Sequence, residues 1–394
     1  MFAARTNWSL TTNRLSRGLE ELRRQGRAYL DLTESNPTRC GFAIDSHLIR
    51  EALADPRALL YEPDPRGALA ARQAVVDYYS ERGVQLSPPQ LFLTTSTSEA
   101  YSFVFRLLAD PGDSILIPRP SYPLFEFLAG LNDVRLIPYP LDYHDGWGID
   151  REALGASVAS ARGRARAIMV VHPNNPTGSF VTSAESNALA ALAGEQDLAL
   201  VADEVFSDYA WDPGSGRVRT HATEQRVLTF SLSGLSKISA LPQMKLAWIV
   251  VTGPDDLREA ALARLEVVAD TYLSVSAPAA YALPKLLELR GQIQPQILER
   301  VRANLRALDE QLSARLPVSC LRAEAGWYAV LRVPITRSDD DWAAELLARE
   351  QVLVHPGHFY DFTSDGHLVV SLLPPPEVFR EGVAKLLAYV SGCC

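Results

Sequence analysis

A lysine stands in a short loop between two strongly apolar segments of the chain. The segments are residues 227–232, VLTFSL, and residues 246–251, LAWIVV, whose composition predicts buried strands. Lys237 follows Ser236 in a run of small residues that favours a turn. A lysine in a partly dry cleft has a lowered pKa, and its neutral amine can attack a carbonyl group or accept a proton. On this segment alone, a solvated surface lysine is the more common alternative.

A group of hydroxyls follows the strand-like segment LFLTT and opens the next predicted helix. The group consists of Ser96, Thr97 and Ser98. Glu99 completes the pattern of a capping box. Backbone N–H groups at a helix start, beside such hydroxyls, can bind a phosphate. An ordinary helix cap is the alternative interpretation.

Three further side chains stand where predicted strands end. Tyr122 follows ILIP, and its ring could stack on a flat ligand or pack in the core. Asn175 lies in HPNNPTG, where two prolines and a glycine restrict the backbone and would aim its amide, although a plain turn fits equally well. Asp203 ends the apolar run LALVAD, so its carboxylate must be paired, solvated or neutralised. A cation in the cleft is its expected partner.

The elements that must position these groups alternate regularly along the chain. Seven strand-like segments between Leu91 and Val251 are interspersed with helical ones, which predicts an α/β fold with a mainly parallel sheet covered by helices on both faces. Ligands of such sheets bind at the carboxyl ends of the strands. We expect residues 46–283 to form this large domain, and residues 1–45 and 284–394 to form a smaller one.

The C-terminal part of the chain has a different pattern. A long helical segment runs from about Ala277 to Leu312, and we expect Pro284 and Pro295 to interrupt it. The later segments WYAVLRV, VLVH and HLVVSLL have the composition of strands and are accompanied by two helices. This pattern predicts that the smaller domain is α+β.

Charge and composition argue against several classes of partner. The net charge of the 394 residues is −9 and no basic block offsets it, so we expect no nucleic-acid partner. No apolar run has the length of a membrane span and the start lacks a secretory signal, so we expect no membrane association and a cytoplasmic location. The spacing of Cys40, Cys320, Cys393 and Cys394 fits neither a metal site nor a disulfide framework. We interpret the terminal cysteine pair as incidental, not as a lipidation signal.

The polar groups at the strand ends form one set that suits pyridoxal 5′-phosphate (PLP). The helix start at 96–98 would take its phosphate, and Tyr122 would stack on its ring. Asn175 would meet the phenolic oxygen, and Asp203 would pair with the pyridinium nitrogen. Lys237 would form a Schiff base with the aldehyde.

From about Leu30 to the C-terminal helix, the sequence resembles the class I/II aminotransferases of the aspartate aminotransferase fold family, fold type I of the PLP-dependent enzymes. The resemblance rests on four motifs in the same order: PSY at 120–122, NNPTG at 174–178, DE at 203–204 and SLSGLSK at 231–237. It implies transfer of an amino group between an amino acid and a 2-oxo acid, with Lys237 as the general base and acid.

The resemblance implies further roles for residues outside these motifs. Tyr61 matches a tyrosine that reaches the phosphate of the neighbouring subunit, which implies a homodimer with shared active sites. Lys245 stands where the family usually has a phosphate-binding arginine, and Ser236 is a further residue that we expect to bind the cofactor. Asn36 lies in a loop over the substrate, and Arg39 is a candidate for binding that substrate.

Two positions depart from the family pattern. Phe206 replaces a tyrosine that donates to the phenolic oxygen of the cofactor, so we expect the imine at Lys237 to hold its proton more tightly. The stretch VVS at 369–371 replaces an R-x-S motif whose arginine binds the substrate carboxylate. The candidates to replace that arginine are Arg39, Arg119 and Arg332. His355 and His358 have HxxH spacing, but we interpret them as loop residues near the substrate and not as metal ligands.

Two alternatives to transamination remain at this level. A lyase, such as a carbon–sulfur β-lyase or a decarboxylase, can use the same cofactor contacts, and the loss of the usual arginine favours it. A non-enzymatic regulator with a PLP domain is the second alternative. We expect this less, because the roughly thirty residues before the resemblance are too few for a DNA-binding module.

Overall fold

Alternating strands and helices make up most of the residues that the computed structural model describes, namely 1–144, 146–211, 216–312 and 316–393. The strands are β1 (Leu30–Asp31), β2 (Leu91–Thr94), β3 (Ser114–Arg119), β4 (Arg135–Tyr143), β5 (Trp147–Ile149), β6 (Ala165–Val171), β7 (Ala199–Asp203), β8 (Thr229–Gly234), β9 (Ala247–Thr252), β10 (Ser319–Cys320), β11 (Tyr328–Arg332), β12 (Val352–Leu353), β13 (His355–Pro356) and β14 (His367–Ser371). The helices are α1 (Arg14–Arg24), α2 (Ser46–Leu53), α3 (Leu69–Ser80), α4 (Thr97–Leu108), α5 (Phe125–Leu131), α6 (Arg151–Ser160), α7 (Ser183–Glu195), α8 (Leu235–Ile238), α9 (Asp255–Tyr272), α10 (Ala277–Glu288), α11 (Arg290–Gln311), α12 (Asp339–Glu345) and α13 (Pro376–Gly392).

Within the described residues, the large sheet has eight strands in the order β2-β9-β8-β7-β6-β3-β4-β5. The five strands β8, β7, β6, β3 and β4 run parallel to one another, whereas β9 is antiparallel to both β2 and β8. The prediction of a mainly parallel sheet is therefore confirmed. The eighth strand, β5, is a three-residue edge strand antiparallel to β4, and its shortness explains why periodicity did not reveal it.

Helices cover both faces of the large sheet, as predicted. Along β6, Ile168 and Val170 contact an apolar core that includes residues of α6 and α7. Met169 and Val171 point to the other face and contact a core that includes residues of α4 and α9. Since successive side chains of a strand point to opposite faces, a strand buried on both sides reads as a continuous apolar run.

A second, smaller sheet lies in the C-terminal part of the chain. It is antiparallel, with the order β10-β11-β14-β13, and α11 and α13 pack against each other beside it. The short strand β1 pairs with β12 in parallel, so a segment near the N-terminus joins this part of the structure. The small α+β unit is thus present, and its boundaries at 45/46 and 283/284 stay a prediction.

The helical segment after residue 277 differs from our expectation. Pro284 lies inside α10 and Pro295 lies inside α11, and the break falls at Leu289 instead. Each proline removes one backbone hydrogen bond, which the buried faces of the helices compensate. The break occurs because α10 packs against α2 and α3, whereas α11 packs against α13.

Two findings concern membranes and thiols. Within the described ranges, no helix is both long enough and apolar enough to cross a membrane. Cys40, Cys320 and Cys393 are free thiols, and Cys394 lies outside the described residues.

Candidate active site

The loop that carries Lys237 connects two antiparallel neighbours in the large sheet. Strands β8 and β9 pair with Gly234 opposite Ala247, and the four-residue helix α8 between them holds Lys237. A Cβ atom on Gly234 would lie 2.7 Å from the Cβ of Ala247, so this close approach requires glycine. The hydroxyl of Tyr209 donates to the carbonyl oxygen of Lys237 at 2.6 Å, and this hydrogen bond helps to hold the loop in place. The predicted placement of a lysine where two strands meet is therefore observed.

The amine of Lys237 lies among aromatic rings. Its Nζ atom is 5.0 Å from the ring centroid of Trp327 and 5.4 Å from that of Phe206. Desolvation in these surroundings lowers the pKa of Lys237 to about 8, although the negative charge of Asp203 acts in the opposite direction. A substantial fraction of this amine is therefore neutral near physiological pH, as a nucleophile or proton acceptor requires.

Asp203 ends β7 on the same edge of the sheet. The side chain is buried, the hydroxyl of Tyr101 donates to its Oδ2 at 2.5 Å, and the Val205 N–H donates to its Oδ1 at 3.1 Å. Burial raises the pKa of this carboxyl group above its usual range, while these hydrogen bonds and the charge of Lys237 lower it. Asp203 thus interacts with the cation that the sequence predicts, and each of its oxygens accepts one hydrogen bond within the described structure.

The loop after β6 presents a buried amide that lacks a partner. Asn175 is buried, with 8% of its surface exposed, and none of the described residues forms a hydrogen bond with its Oδ1. Gly178 holds the loop in place, because its φ is +67° and a Cβ there would lie 2.3 Å from the carbonyl oxygen of Ala325. The Glu324 N–H also donates to the Gly178 carbonyl at 3.1 Å.

An unpaired buried amide atom is costly unless a ligand completes it. Exchanging the oxygen and nitrogen of the Asn175 amide would present an N–H donor instead. The site therefore fits a ligand that carries a polar atom at this point, as the phenolic oxygen of PLP does.

Tyr122 lies close to the acidic end of the site. Its ring packs edge to face on Phe125, with ring centroids 5.7 Å apart. Burial raises the pKa of Tyr122 to about 12, and the negative charge of Asp203 contributes to this shift. Tyr122 is therefore close enough to Asp203 to feel its charge, and stacking of the ring on a ligand stays a prediction.

The hydroxyl of Ser96 caps the start of α4, but the second hydrogen bond of the predicted capping box, from the Ser96 N–H to the Glu99 carboxylate, does not form. Ser96 is the N-cap and its Oγ accepts from the Glu99 N–H at 3.2 Å. The Glu99 carboxylate does not return to Ser96, but accepts from the Thr95 N–H at 2.7 Å and from the Ser274 hydroxyl at 2.7 Å. The cap therefore ties the helix start to the segment after α9. The first N–H groups of α4 point out of the helix, where a phosphate would bind.

Three residues predicted to bind the cofactor make no contact that places them at its site. Lys245 is exposed, with a left-handed backbone conformation, and Ser236 is partly buried within α8. Tyr61 is 83% exposed and lines a cleft together with Ser274. Since Ser274 contacts Glu99, this cleft adjoins the predicted phosphate end of the site.

The predicted substrate loop is held by its own hydrogen bonds. Asn36 caps the short 3₁₀ helix Pro37–Arg39, and its Oδ1 accepts from the N–H and the hydroxyl of Thr38 at 3.1 and 2.8 Å. Arg39 is exposed. The structure leaves its guanidinium available for an anion without showing one.

The position of the expected carboxylate-binding arginine is apolar. Val369 is fully buried in β14, between Val330 and His355 of the neighbouring strands. The other two arginine candidates do not compensate for it. Arg119 forms a two-point ion pair with Asp361, at 2.7 and 2.8 Å. Arg332 ends β11 far from Trp327, with its guanidinium over the ring of Tyr143.

The two histidines with HxxH spacing have separate partners. His355 Nδ1 forms a hydrogen bond with the hydroxyl of Tyr360 at 3.0 Å, and burial lowers the pKa of His355 to about 4. His358 lies 3.2 Å from a carboxylate oxygen of Asp340. In the described part of the chain, no three His, Cys, Asp or Glu residues are grouped so as to hold a metal ion.

Sequence reasoning missed Tyr101, Tyr209 and Trp327, which surround the lysine and the carboxylate. A signal for Tyr101 existed, since it interrupts the apolar face of a helix with a hydroxyl that must find a partner when buried. The identity of that partner was not visible. For Trp327 and Tyr209, neither the motifs nor the periodicity gave a signal.

Comparison with known proteins identifies the family of this chain. Residues 30–386 match the family model described as aminotransferase class I and II. The chain is 25% identical over 379 residues to the glutamate-pyruvate aminotransferase AlaA of Haemophilus influenzae, covering 94% of this chain and 92% of that protein. It is 28% identical over 375 residues to the alanine aminotransferase of Mycobacterium tuberculosis, covering 93% and 86%.

Solved structures share the fold over the full length. An alanine aminotransferase from Pyrococcus furiosus superposes with a TM-score of 0.87 at 22% identity, and the match covers 100% of both chains. An aspartate aminotransferase mutant from Thermus thermophilus superposes with a TM-score of 0.84 at 22% identity, covering 98% of this chain and 99% of that one. The chain therefore belongs to the class I and II aminotransferases, which use PLP to move an amino group between an amino acid and a 2-oxo acid.

Proposed function

We propose that Lys237 holds PLP and moves the proton during transamination. The observation that carries this proposal is the half-buried amine of Lys237, with its pKa lowered to about 8, on the same sheet edge as the buried Asp203, whose charge acts on it. The buried amide of Asn175 supports this assignment to PLP. Its oxygen has no hydrogen-bond partner among the described residues, and it lies on the same sheet edge as Lys237 and Asp203.

Each end of the site has a proposed role in holding the cofactor. Asp203 pairs with the pyridine nitrogen, Asn175 faces the phenolic oxygen, and Tyr122 covers the ring. The start of α4, with Ser96, Thr97 and Ser98, holds the phosphate together with Lys245 and Ser236. When bound, PLP supplies an electron-accepting ring that makes the Cα–H bond of the amino acid acidic.

The lysine acts as both base and acid at one atom. Its Nζ accepts the proton from Cα and returns it to the cofactor side, which suits an amine whose pKa is near the working pH. Trp327 and Phe206 limit the water around Nζ, since both rings lie within about 5.5 Å of it. Asp203 keeps a negative charge at the opposite end of the site.

The working unit that we propose is a homodimer. Tyr61 projects from a surface on which Leu59, Leu60 and Leu69 are 87%, 62% and 60% exposed. Exposed apolar residues in one patch indicate an interface. A second subunit on this face would bring its own Tyr61 to the phosphate end of the site, and such sharing explains why Tyr61 finds no partner among the described residues of its own chain. A cytoplasmic location stays a prediction.

Alanine and 2-oxoglutarate are the first substrates to test. This choice rests on the relatives, which are named glutamate-pyruvate and alanine aminotransferases. Their identity of 25–28% leaves room for a different side-chain preference. Asn36 and Arg39 are the residues that we propose to contact the substrate.

The half-reaction separates transamination from the second candidate, a lyase reaction. The lyase is a candidate because position 369 has a valine in place of the usual carboxylate-binding arginine. We expect the PLP-loaded enzyme, mixed with alanine and no acceptor, to lose the absorbance of its lysine-bound cofactor and release one pyruvate per subunit. Adding 2-oxoglutarate should restore the absorbance. With cysteine in place of alanine, continuous release of pyruvate, ammonia and sulfide in the absence of an acceptor would instead establish the β-lyase, because cysteine carries a leaving group on its β-carbon and alanine does not. The common amino acids, cysteine included, should be screened in the same way.

Phe206 gives a spectroscopic prediction for the loaded enzyme. The residue is buried with its ring 5.4 Å from Nζ of Lys237, and it brings no hydroxyl to the cofactor. Phe206→Tyr would supply a donor near the phenolic oxygen and is expected to lower the pH midpoint of the absorbance change by about one unit or more, the effect of one added hydrogen bond. A control variant is Phe127→Tyr on the exposed face of α5. An unchanged midpoint in Phe206→Tyr would contradict the assigned location.

A further inference from the structure

The hydroxyl of Tyr101 is buried against Asp203. Tyr101 is 1% exposed, and its Oη donates to Oδ2 of the carboxylate at 2.5 Å. The ring is held by Phe125, edge to face at 5.4 Å between centroids, and by Phe105 at 6.0 Å. Because the ring cannot turn away without breaking this packing, the position of the hydroxyl is set by the core of the protein.

Four titratable groups face Asp203 from the surrounding elements: Tyr101 from α4, Lys237 from α8, Tyr122 before α5 and the adjacent Glu204. Burial disfavours the charge on Asp203, and the Tyr101 hydrogen bond is the strongest of the interactions that oppose this effect. Glu204 does not provide a donor, since its own carboxylate accepts from the Thr220 hydroxyl at 2.6 Å and from the His221 N–H. Lys237 acts from a distance and loses its free ammonium once it is linked to the cofactor.

The same helix carries both ends of the proposed cofactor site. Ser96 caps α4 at the phosphate end, and Tyr101 stands about one turn further along the helix at the pyridine end. The Glu99 carboxylate anchors this first turn to Thr95 and Ser274. The distance between the phosphate-binding backbone and the donor to Asp203 is therefore set by one rigid element.

We propose that Tyr101 is a positioning residue that keeps Asp203 ionised and oriented toward the pyridine nitrogen before PLP binds. The inference rests on the proposed role of Asp203. Tyr101 touches neither the substrate nor the reacting atoms, and it acts through the carboxylate alone. Its contribution is greatest in the apoprotein, where no pyridinium is present to stabilise the charge.

The test is PLP affinity of the apoprotein as a function of pH. Without the Tyr101 hydroxyl, Asp203 takes up a proton at higher pH, and this proton must leave when a protonated pyridine binds. We therefore expect Tyr101→Phe to bind PLP about tenfold more weakly than the unsubstituted protein at pH 6, and within about threefold of it at pH 8.5, as expected for loss of a hydrogen bond to a charged group. Absorbance or fluorescence titration with PLP itself gives both constants.

A matched variant separates this effect from general damage to the core. Tyr139 is also 1% exposed, and its hydroxyl donates to the Met169 carbonyl at 2.6 Å, away from Asp203. Tyr139→Phe is expected to change PLP affinity equally at all pH values or not at all. In the double variant Tyr101→Phe/Asp203→Asn, affinity should match that of Asp203→Asn within about twofold, because Tyr101 no longer has a carboxylate to act on.

The possible outcomes separate failure of the proposed function from failure of the proposed role of Tyr101. If the unsubstituted protein binds no PLP, the proposed function fails. If it binds PLP but the ratio of the Tyr101→Phe and unsubstituted affinities is constant from pH 6 to 8.5, the role of Tyr101 is overturned. If Tyr101→Phe does not fold, the test uses the PLP affinities of the unsubstituted protein and of Asp203→Asn, each measured from pH 6 to 8.5. Their affinity ratio should stay constant over this range, and a ratio that falls toward one at pH 6 would show that Asp203 is not kept ionised.

Discussion

Replacing Lys237 with alanine is expected to lower the rate of transamination by about 10³-fold or more. The substitution removes the group that accepts and returns the proton, and general acid–base catalysis by one residue contributes about 10²–10⁴-fold. It also removes the amine that links the cofactor to the protein. The measurement is the rate of pyruvate formation from alanine and 2-oxoglutarate in the presence of saturating PLP.

The covalent link gives a second readout that does not depend on turnover. After treatment with PLP and borohydride, the unsubstituted protein should gain the mass of one reduced cofactor on the peptide that contains Lys237, and Lys237→Ala should not. The yield at limiting PLP should rise with pH around a midpoint near 8, since burial lowers the pKa of this amine to about 8. Lys385→Ala is the matched control, because this lysine pairs with Glu381 at 3.1 Å on the exposed face of α13. Labelling of the Lys237→Ala protein at a specific other lysine would refute the assignment.

Replacing Asp203 with asparagine is expected to lower the turnover rate by about 10²–10³-fold. Asparagine keeps the size of the side chain, but its single amide oxygen can accept from either Tyr101 or Val205 and not from both, so the change removes the charge and one hydrogen-bond acceptor. Preorganised charges of this kind contribute about this much to catalysis. Turnover should be measured at saturating PLP and saturating alanine, so that weak cofactor binding does not account for the loss.

The half-reaction identifies the step that Asp203 supports. We expect Asp203→Asn to remain folded and to form the covalent link at Lys237, yet to convert with alanine far more slowly. The control is Asp341→Asn, whose carboxylate forms an exposed ion pair with Arg14 at 2.6 Å. A rate within about threefold of the unsubstituted enzyme would show that Asp203 does not face the pyridine nitrogen and would remove the main support for the proposed orientation.

Position 369 carries a valine where the resemblance to the family implies a carboxylate-binding arginine. Val369 is fully buried, and an arginine there would place an unpaired charge in the core of the small sheet, at a cost of several kcal/mol. Arg119 is engaged with Asp361 and the Arg332 guanidinium lies over the ring of Tyr143, which leaves Arg39 as the exposed candidate that has no such partner among the described residues. We therefore propose that the loop before α2, which carries Arg39, contributes to binding the substrate carboxylate.

Local patterns were sufficient to predict the fold class and the central residues. The alternation of apolar strands with helices predicted the large sheet, because strands buried on both faces must be continuously apolar. Lys237, Asn175 and Asp203 were predicted together, since the carboxyl ends of neighbouring strands lie on one edge. These inferences need only the local sequence pattern of each element and the rule that ligands of such sheets bind at the carboxyl ends of the strands.

Details that depend on long-range contacts were not predictable. The partner of the Tyr101 hydroxyl is 102 positions away in sequence, and Arg119 meets Asp361 across 242 positions. The helix break at Leu289 depends on which neighbours α10 and α11 pack against, and not on the two prolines.

The sequence by itself thus determined the α/β class, the strand-end position of the lysine and the chemistry that the grouped side chains can perform. Tertiary structure alone decided which donor meets Asp203, which rings desolvate Lys237 and which arginines are already paired. The physical reason is that pKa values and hydrogen-bond partners depend on atoms within a few ångströms, and residues far apart in the chain supply most of those atoms.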